Sequence, residues 1–432
     1  MKPNILARIE FLLLYLKYIT PLVLLFTVNI SQSNAQGAYF WSEPILLFQV
    51  DGTGEIHRPF VISDSYGNVH VFWSVNSESQ DELDLIYYSR LDAIGWTNPV
   101  DIVAATPARS VSATIGQDDF IYLIWNGIGG ISYSRAPLQE AESAKNWSEP
   151  VLIADAHISA SIVTSPSGNI FLAYPGVGNS GVFEQYLEPH SLNWSSQRIV
   201  SVNSLINTAS DYVQMRVSNN GTLHVAWTEF YLPDGWPPRG VFYARSIDGG
   251  ENWSTPALLG SDGFDQISIA VLDDNNIHVA WNGMVGLGGR YHRWSSDGGQ
   301  TWSETIETIR AGLGGTEGFP QIVGDQSGTL HMLTTYEGCA WYTYLQNQRW
   351  ANPVCISGEK AQASNYIEEP AMAVSEGNKL HAVFWDDRKR LWYTTKVTEA
   401  PWIPPEIMDN EIIQPTQSQI PTDSPKPTPT IN

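Results

Sequence analysis

Cysteine is nearly missing from this sequence. Cys339 and Cys355 stand alone among 432 residues, so one disulfide at most can tie the fold together. Positive charge is scarce too: lysine and arginine number 23 against 45 acidic residues, a formal charge of -22. With no Lys/Arg cluster to offset that field locally, a polyanion is repelled and nucleic acid is excluded as a partner. The third absence is helical periodicity, since no segment sustains the apolar spacing of an amphipathic helix. The chain has aromatic bulk instead, 17 Trp and 19 Tyr, on a length that supports a large core. The acidity serves solubility. Acidic loops such as Asp81, Glu82 and Asp84 leave calcium as an alternative, but their spacing matches no calcium loop, and no other metal or cofactor is implied.

The two ends differ from the middle. Residues 1–35 carry Lys2 and Arg8, an apolar run over 11–30 interrupted by Lys17 and Pro21, and Ser33-x-Ala35 as a small-residue cleavage site. This predicts a signal peptide, with an uncleaved membrane anchor as the alternative; both place the rest of the chain outside the cytoplasm, extracellular or tethered at the cell surface. Residues 401–432 are rich in Pro, Thr, Ser and Gln, which predicts a disordered tail.

Between the ends one unit is written seven times. GNVHVFW at 67–73, GTLHVAW at 221–227 and NNIHVAW at 275–281 are the clearest copies, and DFIYLIW, GNIFLAY, GTLHMLT and GNKLHAVFW fill the gaps at a spacing of about fifty residues. An apolar segment precedes each copy, a Tyr-rich one follows, and a Trp-led run such as WSEPVLIA closes the unit. Four short antiparallel strands per unit, seven units in a ring, predict an all-β, seven-bladed β-propeller over 38–398. The seventh unit lacks its fourth strand, while an orphan WSEPILLF stands at 41–48. The N-terminal strand is therefore expected to complete the last blade and close the ring.

SIDGGENWSTP at 246–256 returns as SSDGGQTWSET at 295–305, each time between the third and fourth strands. The chemistry is that of a turn. Ser246, Asp248, Gly250 and Trp253, with their counterparts Ser295, Asp297, Gly299 and Trp302, supply hydrogen-bond acceptors, positive φ and an apolar plug. In this hairpin Ser-x-Asp-x-Gly-x-x-Trp resembles the Asp-box, or BNR repeat, of the sialidase superfamily, and the repeat resemblance covers nearly all of 38–398. It implies the propeller fold; for activity it implies a choice, because such propellers include glycoside hydrolases, lectins and assembly factors. A sialidase of this type grips a sugar carboxylate with three arginines, the first in an Arg-x-Pro context, beside an Asp acid/base and a Tyr-Glu nucleophile pair. Here Arg58 is followed directly by Pro59, seven units stand against the family's six blades, and no Tyr-Glu pair is assignable.

Five of the nine histidines, His70, His224, His278, His331 and His381, share one repeat position. One per blade is the pattern of a structural residue hydrogen-bonding between sheets. The same holds for Trp73, Trp125, Trp227 and Trp281 as core plugs. Ligand contacts are expected where first strands begin and second strands end. That alignment gives His57, Arg58, Arg109, Asp211, Tyr212, Asp265, Glu317, Glu368 and Glu369 just before the first strands, and Asn126, Glu229, Asn282, Glu337, Asp386, Asp387 and Arg388 where the second strands run out on the same face. The insertion TEFYLPDGWPPRG adds Phe230, Tyr231, Asp234, Trp236 and Arg239, an aromatic face beside charge that suits a sugar ring. Cys339 and Cys355 flank a hairpin turn near Asn347 and are expected to pair. The expectation is thus an exported, glycan-recognising propeller. It is an exo-acting glycoside hydrolase of sialidase type or, in the competing class, a lectin or protein-binding scaffold.

Overall fold

The computed structural model describes residues 40–406 apart from 78–82, 106, 128, 157–158, 204, 234–237, 262–263, 284–287, 310–317, 337 and 363–365. Seven antiparallel sheets follow one another along the chain, with strands in sequence order in all but the last, whose outer strand comes from the N-terminal side. Blade 1 is Glu55–Ser63, Val69–Asn76, Asp84–Leu91 and Val100–Ala105. Blades 2 to 5 begin at Arg109–Ile115, Ser161–Thr164, Thr208–Val217 and Phe264–Val271; blade 6 begins at Gln321–Gly324 and blade 7 at Ile367–Ser375. The first strands touch one another around the whole circle, so they line the central tunnel. In blade 6 the fourth strand is split into Arg349–Trp350 and Val354–Cys355, both paired with Cys339–Gln346.

Strand two of each blade is covered on both faces by neighbours, so its sequence is apolar throughout rather than alternating; Ile277–Gly283 is buried at every position. The core accordingly divides into seven clusters, one at each seam between blades. Trp73, Trp125, Trp227 and Trp281 are all buried, each projecting into the seam with the preceding blade. The five repeated histidines are buried, but their hydrogen bonds run within a blade, not between sheets. His224 Nδ1 meets the Tyr243 hydroxyl at 2.6 Å and its Nε2 meets Ser218 at 2.6 Å. His70, His331 and His381 repeat the pairing with Tyr88, Tyr342 and Tyr393, and His278 pairs with His292.

The ring closes as expected. Ile45–Gln49 pairs antiparallel with Arg390–Val397, setting Ile45 against Tyr393 and Gln49 against Arg390. Trp41 packs edge-on to Tyr342 at 5.0 Å, and Phe48 lies against Trp73 and Tyr87. The other end differs from expectation, because residues 401–406 are laid along the propeller instead of leaving it. Ile403 N–H donates to Glu376 O, Trp402 Nε1 to the Glu376 carboxylate, and Glu406 N–H to Ser65 O. A proline-rich run is already extended, so little chain entropy opposes its lying across two blades. The remainder of that segment, and residues 1–39, lie outside the described residues, among which no helix is long and apolar enough to cross a membrane. Cys339 and Cys355 form a disulfide across the blade 6 hairpin, Cα to Cα 5.8 Å.

The repeated Asp-Gly-Gly turns lie at blade seams. Ser246 Oγ donates to Asp248 and accepts from Gly250 N–H at 2.9 Å, while Asn252 donates to Asp248 through both its N–H and its Nδ2. The second copy matches it bond for bond through Ser295, Asp297, Gly299 and Thr301. Gly299 is obligatory twice over: its φ is +85° and a Cβ there would sit 2.0 Å from the Tyr243 hydroxyl. Each turn is gripped from the blade before it, with Arg198 donating to Gly249 O and Arg245 to Gly298 O, both at 2.7 Å. Trp302 adds an edge contact with Tyr243 at 4.8 Å, and Trp253 packs on the blade 3/4 cluster.

Candidate functional site

A backbone irregularity builds the tunnel mouth. In blades 1, 2, 4, 5 and 7 the first strand carries a β-bulge near its start, with a register shift against strand two. The bulged residues Arg58, Ser110, Tyr212, Gln266 and Glu369 all have positive φ, between 35° and 52°. Such a bulge re-aims a side chain that simple alternation would send into a seam. Left-handed φ at non-glycine residues costs ~1 to 3 kcal/mol apiece, a strain concentrated where side chains meet ligands.

Arg58 lies at the centre of this ring. Its N–H and Nε donate to Glu369 at 2.7 and 3.3 Å, Nη1 donates to Ser110 at 3.0 Å, and its guanidinium sits 4.7 Å from the Phe319 ring centre and 5.7 Å from that of Tyr212. Trp385 Nε1 also donates to Glu369, which fixes the carboxylate from the other side. Asp211 accepts from Ser159 and from Tyr212 N–H; its burial raises the carboxyl's pKa, opposed by the Ser159 hydrogen bond and the Arg58 charge. Beside this cluster a cleft of about 470 Å³ opens between blades 1 and 2, lined by His57, Arg58, Arg109, Asn126, Ala156 and Glu369, among others. Arg109 is exposed there, and its side chain has no hydrogen bond or ion pair among the described residues.

Of the residues expected at the mouth, the structure brings Arg58, Arg109, Asp211 and Tyr212 together with His57, Asn126 and Glu369. Others are internal links. Glu229 is buried and ion-paired with Arg239, burial pushing its carboxyl up against that cation. Asn282 is fully buried and receives Arg290 Nη1, while Asp386 is fully buried beneath Arg390 and Trp392. Arg388 is exposed in the turn after Asp386. Trp236, Asp234, Glu317 and Glu337 lie outside the described residues, as do the side chain of Asp265 and the acidic pair Asp81 and Glu82. Asp84 is committed to the fold, accepting from Ser77 N–H and Ala108 N–H at 2.9 Å each. Ser110, Ser159 and Phe319 were not anticipated. Their one signal is position, at or just beyond the aligned strand starts.

On the opposite face two clefts repeat at consecutive seams. Asp273, His278 and Trp294 line one of about 620 Å³ between blades 5 and 6; in one of about 490 Å³ between blades 6 and 7, His331 and Tyr344 occupy the repeat positions of His278 and Trp294, and Asp325 lies in the turn before His331.

No protein-family model and no curated protein matches the sequence. Solved structures share the fold. An ulvan lyase from a new polysaccharide lyase family, bound to a GlcA(1-4)Rha3S saccharide, is 11% identical with a TM-score of 0.58, covering 84% of this chain and 96% of its own. A protein of unknown function from Dyadobacter fermentans is 11% identical with a TM-score of 0.54, over 84% of this chain and 100% of its own. A Hadza microbial sialidase is 11% identical over 79% of this chain and 66% of its own, at a TM-score of 0.45. The described lining of the cleft holds two arginines, Arg58 and Arg109, and the adjoining tunnel space adds Tyr212 and Arg216.

Proposed function

We propose that the protein recognises an acidic saccharide at the tunnel mouth, in the cleft of Arg109, Arg58, His57 and Asn126. The observation that carries this reading is Arg109. In a chain with net charge -22 it is an exposed guanidinium without a partner among the described residues, beside a second arginine and a sugar-sized cleft. A guanidinium fork matches a uronate carboxylate or a sulfate ester in two parallel hydrogen bonds, and Asn126 supplies both a donor and an acceptor for hydroxyls. The likeness in fold to a lyase bound to such a saccharide supports the choice of ligand. The reading includes export, with residues 1–35 as signal or anchor, and treats the Ser-x-Asp-x-Gly-x-x-Trp turns as Asp-boxes. The Cys339–Cys355 disulfide supports export, since such bonds persist in oxidising compartments.

The repeated seam clefts favour a second reading, a lectin that stacks neutral sugars on Trp294 and Tyr344. One glycan array, run beside a panel of fluorogenic glycosides and acidic polysaccharides to score turnover, separates the two. Arg109→Ala is expected to weaken acidic-glycan binding by roughly tenfold with unchanged melting. If instead Trp294→Ala abolishes binding and Arg109→Ala does nothing, the lectin reading stands and the mouth is not the site.

A further inference from the structure

Beneath the mouth the tunnel continues as a space of about 100 Å³. Arg58 lies across its entrance, held by Glu369 on one side and resting over Phe319 and Tyr212 on the other. Along the first strand of blade 4, Gln214 and Arg216 alternate with Val213 and Met215, both fully buried in the seam cluster with blade 3. Alternation therefore sends the two polar side chains the other way, to the tunnel. Ser112 of blade 2 and Gln321 of blade 6 line the same space.

What distinguishes Arg216 is its lack of counter-charge. Its Nη1 donates to Met215 O at 2.7 Å, and among the described residues that is its whole set of polar contacts. Three other arginines at buried sites are provided for. Arg198 and Arg239 have Glu184 and Glu229, and Arg290 is held by Asn282, Thr334 and the carbonyls of Gly289 and Thr335. Enclosure alone pulls the Arg216 guanidinium down to about 10, so it stays cationic at neutral pH. The side chains of Ser112, Gln214 and Gln321 likewise make no hydrogen bond among the described residues. A cation and three neutral polar groups converge on one small space; among its described lining residues the carboxylate, Glu369, is taken by Arg58, so the half-buried Arg216 charge is left without a partner.

We propose that the tunnel is an anion site in which Arg216 holds a small oxyanion of the sulfate or phosphate type, with Gln214, Gln321 and Ser112 donating to its oxygens. The space is several water volumes at roughly 30 Å³ each, enough for a tetrahedral ion and too little for a sugar ring. Because Arg58 bars the entrance, the ion is free rather than the sulfate ester of a saccharide seated in the mouth. The inference does not depend on the reading of that cleft.

Titration calorimetry on the dialysed full chain, with sodium sulfate and with phosphate at constant ionic strength, tests it. Saturable binding is expected, weakened tenfold or more by Arg216→Gln and unchanged by Arg349→Gln, an exposed arginine on blade 6. No saturable binding of either ion overturns the proposal. A sulfated monosaccharide is expected to bind independently of Arg216, and Arg216-dependent binding of it would overturn the assignment to a free ion. Should Arg216→Gln fail to fold, crystals of the unaltered protein soaked in selenate give the answer. An anomalous peak beside Arg216 supports the site, and selenate bound only elsewhere refutes it.

Discussion

Asp248 and Arg109 show how residues of similar exposure are put to opposite uses. Asp248 has its acceptors filled by Ser246 and Asn252, and these bonds, the Asn252 side chain first, hold its carboxyl at about 2. Most of its acceptor capacity is thus spent on the turn. Asp248→Ala should therefore lower the melting temperature, through a loosened turn and a weakened Arg198 grip, while saccharide affinity of the folded fraction stays as it was. Calorimetric melts and binding isotherms on the same samples check this, and lost binding with unchanged melting would contradict it. Arg58 and Arg109 were legible in the sequence because the repeated histidine fixes where each first strand begins. Ser110 and Glu369 were harder to place. The bulge inserts one residue that no count of alternating apolar positions reveals, and it reverses the direction of the side chain at that point. Arg58-Pro59 and Glu369-Pro370 leave a trace, since each bulged residue is followed by a proline that has no N–H to give the ladder.

At the level of elements the repeat grammar succeeded because each strand type faces a constant environment in every blade. It failed where an element answers to something outside its own blade. The packed run 401–406 is of that kind. Two features internal to a blade also escaped it: the split fourth strand of blade 6, and the partner of the repeated histidines on the third strand, a tyrosine in four blades and His292 in blade 5. Ile45–Gln49 is the element most open to test. Ile45 and Leu46 are each 47% exposed, so its contribution comes from Leu47, Phe48 and the preceding Trp41, which pack on the clusters of blades 7/1 and 6/7. Deleting residues 40–48 should cost several kcal/mol at roughly 1.5 to 3 per large side chain, and it should bare the edge of Arg390–Val397 to intermolecular pairing. Earlier unfolding in urea together with aggregation is expected. A monomer that melts like the full chain would show that the strand is dispensable.

For the whole molecule, the buried histidines set the response to acid. Burial holds His224 and His381 at about 3 and His278 at about 4, and it lowers His70 and His292 as well. Their unfolded counterparts titrate near 6.5. Below that pH the unfolded chain binds protons the native one refuses, so stability is complete above 6.5 and falls steadily as pH drops toward 3. Each such histidine contributes up to ~1.4 kcal/mol per pH unit across its window. Urea midpoints taken from pH 7 to pH 4.5 should decline, and His224→Gln should flatten the decline by about one proton's worth; a flat profile would mean the histidines are not neutral in the fold.

The pairing of Ile45 with Tyr393 also has a kinetic meaning. The first described strand to be synthesised is among the last to find its partner, because nearly every blade must be made before Tyr393 exists. A loop this long adds roughly 2 kcal/mol of closure entropy over the fifty-residue step between neighbouring blades. Assembly of the circle should consequently lag behind assembly of its sectors, leaving an open arc with two unsatisfied rims. Such an arc is the species in which two chains could trade N-terminal strands, and its lifetime governs whether refolding at high protein concentration ends in monomers or in exchanged dimers.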